Sequence, residues 1–376
     1  MKKLLLLFII IIFLPGCWNQ SELTERGFVM GCAIDETEDG KIQLTTQIYK
    51  PENGGNSDGE SEQINITTEG DTIFEAVRNI TAVLGRKANW SHMQTVIIGE
   101  KMAQQRNITE ILDYFLRDDE PRALMGVLIG KGEGKPFLSL QPLIENNIGR
   151  ELFSIAEKNA AHTGKTILTD LFHLNLQLKG KVSEAKIAYI EINEQQKTPL
   201  VNGVALFKDG LMVSHFPGDK TQFLMILLDN FDRGVIEIPC EDEPNKKENI
   251  EVIFMETDLS TRIKGEQVNI DVKTHMEVAI GELTCTSIET TEEMEEFEAH
   301  IAQFIETELQ TVMTELQQKQ LDVLDIGNSV YRRDPKLWKE WEETWGERFE
   351  NSEATITVSV EIDTSGNQIS VPFSQN

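Results

Sequence analysis

Short apolar runs alternate with amphipathic helical patterns in the first third of the chain. Residues 27–35 and 41–49 have the alternation and composition of two strands, and residues 95–99 and 123–129 are further apolar runs of strand length. Between them, apolar residues recur at spacings of 4, 3 and 4, which places them on one helical face: Ile73, Val77, Ile80 and Leu84. The order of strand, helix and strand predicts an α/β layer arrangement for this part.

The pattern changes twice in the rest of the chain. From residue 138 to residue 180 the apolar spacing is mainly helical, whereas residues 248–263 and 267–280 alternate over long stretches, as strands do. Residues 291–324 then hold apolar positions three and four apart, which predicts a long helix with one face packed on a sheet.

These patterns together predict a mixed α/β (α+β) fold with mixed sheets and about three domains. We expect a signal peptide at residues 1–16, an N-terminal α/β domain at 17–135, a mainly helical middle region at 136–200, and a β-rich C-terminal domain with the long helix at 201–376.

The first residues of the chain have the pattern of an export signal. Lys2 and Lys3 precede an unbroken apolar run at residues 4–14, which as a helix would be about 16 Å long, roughly half the hydrocarbon core of a bilayer. Such a run after a positive start is typical of a secretory signal peptide. Because Pro15, Gly16 and Cys17 follow Leu14, the segment resembles a bacterial lipobox, and Cys17 is the predicted lipid-attachment residue. The alternative is an ordinary signal peptide with a cysteine nearby.

The net charge restricts the class of partner. The chain has 35 Lys and Arg against 63 Asp and Glu, which gives −28. A surface this acidic repels phosphate backbones, so the sequence predicts no nucleic-acid binding. It also argues against docking on anionic lipid through a broad basic face.

The remaining cysteines give no pattern of their own. Cys32, Cys240 and Cys285 are an odd number, widely spaced and without a CxxC pair. We therefore expect three small buried side chains, with neither a disulfide framework nor a metal site.

No catalytic residue, cofactor or metal site is predicted. The six histidines lack metal-ligand spacing, and for His92 a hydrogen-bonded position at the entrance of a strand is favoured over a general base. The glycine-rich residues 130–135 lack the ending of a phosphate-binding loop because Pro136 follows Lys135, so they predict a flexible turn. The acidic residues 289–298 suit the start of the long helix.

Two groups of side chains are candidates for contacts with a partner protein. Four arginines could hold carboxylates of a partner, although pairs within the chain are favoured: Arg117, Arg122, Arg332 and Arg333. Three tryptophans recur at spacings of 3 and 4, and packing of their helix is favoured over a partner-binding face: Trp338, Trp341 and Trp345.

Several sequence blocks, taken in order, resemble one known family. They include GCWNQSEL at 16–23, TIFEAVRN at 72–79, SHMQTVIIGE at 91–100 and GNSVYRRDP at 327–335. Over nearly its full length the chain resembles the Ger(x)C spore-germination lipoproteins, which are the C subunits of nutrient germinant receptors. Asn19 departs from the aspartate that the family usually has after the tryptophan.

The resemblance implies a function that the residues alone do not reveal. It implies a lipid-anchored, non-enzymatic subunit that assembles with the integral membrane A and B subunits of the receptor and helps to trigger germination. It also implies a place on the outer face of the cytoplasmic membrane and in the spore inner membrane. The main alternative is a solute-binding lipoprotein of an importer, which usually has two α/β lobes rather than a β-rich second half. An envelope hydrolase is a further alternative, disfavoured by the missing catalytic constellation.

Overall fold

A computed structural model describes residues 26–49, 63–240, 243 and 245–364. The predicted signal peptide and the predicted lipid-attachment residue, Cys17, lie outside the described residues. Within the described ranges, no helix is both long and apolar enough to cross a bilayer.

The described residues form two sheets, and the first is a nine-stranded mixed sheet. Its strands follow the spatial order β3-β2-β1-β5-β6-β7-β8-β9, and the short β4 pairs with the start of β1. β1, β5, β6 and β7 are mutually parallel neighbours and β4 also runs parallel to β1, whereas β2, β3, β8 and β9 pair antiparallel. The bounds are β1 Arg26–Glu36, β2 Ile42–Tyr49, β3 Gln63–Gly70, β4 Lys87–Asn89, β5 Thr95–Gly99, β6 Gly126–Gly130, β7 Glu184–Asn193, β8 Thr198–Lys208 and β9 Leu211–Phe216.

Helices cover both faces of this sheet, because its central strands are apolar on both sides. One face packs on α1 (Ile73–Leu84), α2 (Glu100–Gln105), α3 (Ile108–Arg117) and α5 (Leu171–Leu178). The other packs on a 3₁₀ turn (Lys135–Ser139) and α4 (Ile148–Thr163). Successive residues of β1 point to opposite faces of the sheet. Cys32 and Ile34 belong to the core beneath α1, α2, α3 and α5, and Ala33 belongs to the core beneath α4.

The second sheet has four strands and is covered by the long helix. Its order is β10-β11-β12-β13, with β13 parallel to β12. The bounds are α6 Gly218–Leu227, β10 Gly234–Pro239, β11 Lys247–Lys264, β12 Gln267–Glu282, α7 Thr291–Gln318, α8 Ile326–Arg333, α9 Pro335–Trp341, α10 Trp345–Glu350 and β13 Glu353–Thr364. One face of α7 packs on this sheet in a single large core, so the prediction of a long amphipathic helix on a sheet is confirmed.

The mixed α/β fold class is confirmed, but α7 is shorter than predicted. It ends at Gln318 rather than at residue 324, because Gln320 takes a left-handed backbone conformation with φ of 52°. Of the predicted domain boundaries, residue 135 begins the 3₁₀ turn and residue 200 lies inside β8 of the first sheet. The division into three domains stays a prediction.

Candidate functional site

The two sheets meet at the segment between α7 and α8, which is organised around one buried carboxylate. Asp322 accepts hydrogen bonds from the backbone N–H of Ile326 at 3.0 Å and of Gly327 at 2.5 Å. Its second oxygen, Oδ2, also accepts from Nε1 of Trp345 at 3.0 Å. These donors favour the ionised form, but burial outweighs them and raises the pKa of Asp322 to about 7.

Charged side chains of the first sheet reach across to the same segment. Lys186 of β7 donates from Nζ to the carbonyl of Val323 at 2.7 Å, and Lys208 of β8 donates to the carbonyl of Gln320 at 2.7 Å. Glu184 is the first residue of β7, and its side chain is only 8% exposed. Within the described residues its Oε2 has no hydrogen-bond partner. Burial, followed by the negative charge of Asp322, raises the pKa of Glu184.

Close backbone contacts complete the junction and explain the glycine that begins the GNSVYRRDP block. A Cβ on Gly327 would lie 2.6 Å from Nε1 of Trp345 and 2.6 Å from Cγ2 of Val182, so any other residue would force its neighbours to shift. The next residue, Asn328, accepts a hydrogen bond from the backbone N–H of Lys181 at 2.6 Å. The block therefore ties the second half of the chain to the loop before β7.

A cleft of about 610 Å³ opens beside this junction, between α5, β7 and α8. Its lining carries carboxylates and cations together, including Glu184, Asp325, Lys181 and Arg332. Arg332 pairs with Asp325 at 3.0 Å, so part of this charge is neutralised within the chain. The arrangement can bind polar groups and fix the two halves relative to one another; it presents no nucleophile with an adjacent base among the described residues.

The histidine singled out in the sequence lies apart from this cleft's lining. His92 is exposed, three residues before β5, and its ring stands edge-on against Phe28 with 5.2 Å between the ring centroids. His173 does line the cleft, where it hydrogen-bonds to the Asp170 carboxylate at 2.8 Å.

Three of the four candidate arginines have partners within the chain, as the favoured interpretation expects. Arg117 pairs with Asp113 one turn earlier in α3 at 2.6 Å. Arg332 pairs with Asp325, and Arg333 donates to the carbonyl of Thr261 at 2.7 Å. Arg122 is exposed in the loop before β6.

The three tryptophans are part of the large core between α7 and the four-stranded sheet. Trp338, Trp341 and Trp345 are 2%, 4% and 5% exposed, and all three belong to the core beneath α7. The interpretation that they pack their helices is confirmed, and their faces are not open to a partner.

The prediction for the cysteines was wrong in two of three cases. Cys32 is a buried free thiol in β1, as expected, but Cys240 and Cys285 form a disulfide. They are 45 residues apart and meet because β10 and β12 flank β11, which brings the ends of these strands together. The predicted export was the signal that could have suggested this pairing, since disulfides persist outside the cytoplasm.

Glu248 lies beside this disulfide and is also committed to the fold. A carboxylate oxygen of Glu248 lies within 4.8 Å of both sulfur atoms, but these two sulfurs are bonded to each other. Its carboxylate accepts from the backbone N–H of Thr284, Cys285 and Thr286 at 2.7–3.1 Å. The cluster therefore fits a structural role better than a metal site.

The glycine-rich residues 130–135 form a loop whose amides are already used. The N–H groups of Gly134 and Lys135 donate to the buried carboxylate of Asp35 at 2.6 and 2.9 Å. Because a side chain of β1 occupies these two donors, the loop does not offer them to a phosphate.

Comparison with known proteins identifies the family. A family model described as the spore germination protein N-terminal domain matches residues 19–192, and one described as spore germination B3/GerAC-like, C-terminal, matches residues 202–366. Spore germination protein B3 of Bacillus subtilis (strain 168) is 22% identical over 96% of this chain and 97% of its own length. Spore germination protein GerQC of Bacillus cereus is 24% identical over 97% and 99% of the two chains.

A solved structure shares the fold. The crystal structure of the GerBC protein aligns with a TM-score of 0.57 at 17% identity, covering 92% of this chain and 100% of that chain. This likeness concerns the fold alone. Because the two family models match in order over most of the sequence, the chain belongs to the Ger(x)C family of spore germination proteins.

Proposed function

We propose that this protein is a lipid-anchored, non-enzymatic subunit of a nutrient germinant receptor. In this proposal it acts by assembling with the integral membrane A and B subunits, in the spore inner membrane, and so contributes to triggering germination. The observation that carries the proposal is the match of both family domains, in order, over nearly the whole chain.

Two further features support export and anchoring. The apolar run at residues 4–14 is followed by Pro15, Gly16 and Cys17, which places the cysteine where a lipobox requires it. The disulfide between Cys240 and Cys285 suits a compartment outside the cytoplasm, because cytoplasmic thiols are kept reduced. Two acyl chains on Cys17 would give stable membrane attachment that a single chain does not.

The junction supports action as a scaffold. Lys186 and Lys208 of the first sheet donate half-buried hydrogen bonds to the carbonyls of Val323 and Gln320, and Asn328 accepts an exposed one from Lys181, so these bonds join the two halves. A protein built this way presents a fixed surface to its partners, and its contribution to germination then depends on that surface and on the anchor.

The experiment compares Cys17→Ala with Cys32→Ala in a spore-forming host. Cys17→Ala should lose radiolabelled palmitate, membrane retention and co-purification with the integral subunits, and germination should slow. Cys32→Ala is the matched control, since it removes a buried thiol and should keep the label. Equal labelling of the two variants would contradict the anchor.

A second measurement separates this function from that of a solute receptor. Calorimetric titration of the soluble part with candidate nutrients should give no tight binding in the absence of the other subunits. Tight direct binding would overturn the scaffold proposal in favour of a solute-binding lipoprotein.

A further inference from the structure

The loop before α4 presents two large apolar side chains to solvent. Leu143 is 65% exposed and Ile144 is 90% exposed, the highest value among the large hydrophobic residues of the described ranges. Exposed apolar side chains next to one another are unfavourable in water and mark interaction sites when they form part of a larger patch.

This loop is held in place rather than left loose. Glu151 of α4, which is 4% exposed, accepts hydrogen bonds from the backbone N–H of Ile144 at 3.3 Å and of Glu145 at 2.8 Å. The Glu145 carboxylate in turn pairs with Arg150 at 2.8 Å. A buried carboxylate thus fixes the backbone that carries the two exposed side chains. The fold itself therefore holds these side chains in solvent.

The loop lies at the end of the sheet where the described chain begins. Gln63, the first residue of β3, donates from Nε2 to the carbonyl of Asn146 at 2.5 Å. Gln63 is opposite Tyr49 of β2, and Tyr49 is opposite Phe28 of β1. At about 4.8 Å between strands, the loop's attachment point is therefore roughly 10 Å across the sheet from Phe28.

The length of chain before β1 brings a lipid surface within reach of this end. Nine residue steps separate Cys17 from Arg26, and an extended chain of that length spans at most about 30 Å. A bilayer that holds an acylated Cys17 is then confined to the neighbourhood of the start of β1, where the loop lies.

A third exposed apolar residue lies on the opposite face of the same end of the sheet. Val83, in the last turn of α1, is 64% exposed. Its neighbour Leu84 packs so closely over Gly27 that a Cβ there would lie 2.5 Å from its Cδ2. Since α1 and α4 cover opposite faces of the sheet, apolar side chains flank the start of β1 on both sides.

We infer that Leu143 and Ile144 insert into the lipid bilayer beside the anchor and fix the orientation of the protein on the membrane. The inference rests on the proposed anchoring at Cys17. The occupant is the apolar boundary of the bilayer rather than its anionic headgroups, because the loop itself carries Glu145 and the chain has a net charge of −28. An inserted loop adds a second point of attachment, so the protein cannot rotate freely about the lipid-anchored residue.

The test places an environment-sensitive fluorophore at the loop of the full, lipidated chain. Ile144→Cys is labelled with a nitrobenzoxadiazole probe, and Val235→Cys in β10, an exposed apolar position of the second sheet, is the matched control. The other thiols do not compete, since Cys32 is buried, Cys240 and Cys285 are bonded to each other, and Cys17 is acylated. Phosphatidylcholine vesicles with and without spin-labelled lipid are the probe surface.

We expect a blue shift and lipid-dependent quenching at position 144 and neither at position 235. A vesicle-bound protein whose position 144 stays in water would overturn the insertion and leave the anchor intact. A blue shift that appears only after the integral subunits are added would overturn it too, because the loop would then bind protein. Failure to sediment with vesicles and to carry palmitate would instead contradict the anchor.

A measurement without the anchor keeps the two proposals separable. Mature chains that begin at residue 17 and carry Cys17→Ala should partition weakly into the same vesicles, and adding Leu143→Ser and Ile144→Ser should weaken that partition by about tenfold or more. Thermal melting should be unchanged by the two serines, because both positions are exposed. Equal partition of the two chains would overturn the inference.

Discussion

Replacing Gly327 by alanine tests the close packing at the junction between the two sheets. The new Cβ would stand 2.6 Å from Nε1 of Trp345 and 2.6 Å from Cγ2 of Val182, so the indole or the backbone must move. Overpacking of this kind costs about 1–3 kcal/mol. Moving the indole also removes a hydrogen bond from buried Asp322, which costs about 1–3 kcal/mol more.

The higher helix propensity of alanine acts in the opposite direction and stabilises the folded state. Alanine is favoured over glycine in a helix by about 1 kcal/mol, and Gly327 lies in the first turn of α8. The net loss of unfolding free energy is therefore about 1–5 kcal/mol. At roughly 2 °C per kcal/mol for a chain of this size, the melting temperature should fall by about 2–10 °C.

The assay is scanning calorimetry combined with tryptophan fluorescence, and Ser329→Ala is the control. Ser329 lies two residues further along α8, and its hydroxyl accepts an exposed hydrogen bond from Arg332 at 3.1 Å, so its loss should change stability by less than about 0.5 kcal/mol. If the melting temperature of Gly327→Ala equals or exceeds that of Ser329→Ala, the close contact between Gly327 and Trp345 does not constrain the junction.

Three further predictions address the second sheet and the junction. Trp341→Ala should lower the free energy of unfolding by about 3–5 kcal/mol, as measured by denaturant titration; unchanged stability with loss of partners would make it a docking residue. Because the pKa of Asp322 is raised from 3.8 to about 7, the folded state holds its proton longer than the unfolded state, and this carboxyl's contribution to stability should fall as the pH rises from about 4 to 7. Thermal melts of Asp322→Asn over that range should show a flatter dependence than wild type, and equal slopes would contradict the assignment. Cys240→Ser should cost about 2–4 kcal/mol, and a wild-type melting temperature that dithiothreitol leaves unchanged would refute the bond to Cys285.

Periodicity predicts the regular elements well because burial follows it. The one-residue alternation of Cys32, Ala33 and Ile34 between two cores is the direct consequence of the strand period. The spacing of apolar residues on α7 likewise places its buried face correctly. The end of α7 was missed because Leu321 and Val323 are buried in the junction rather than on the helix, and apolar spacing does not distinguish the two.

The candidate site depends on contacts that no local pattern records. Glu184 and Asp322 are 138 positions apart, and nothing in either segment indicates that both carboxylates are buried at one junction. The disulfide between Cys240 and Cys285 depends in the same way on which strands become neighbours. By contrast, the GNSVYRRDP block could be recognised from sequence, but the reason for its glycine appears only in the packing against Trp345.

The continuity of the first sheet through β7, β8 and β9 has a consequence for anyone who expresses the two halves separately. A fragment that ends near residue 200 would lose most of β8 and leave one edge of β7 with its backbone N–H and C=O groups unpaired. It would also lose Ala205 and Phe207, which complete the core under α1, α3 and α5. Open strand edges next to an incomplete core recruit strands from other molecules, so such a fragment should aggregate. Recombinant work on this protein therefore calls for the intact chain from β1 to β13.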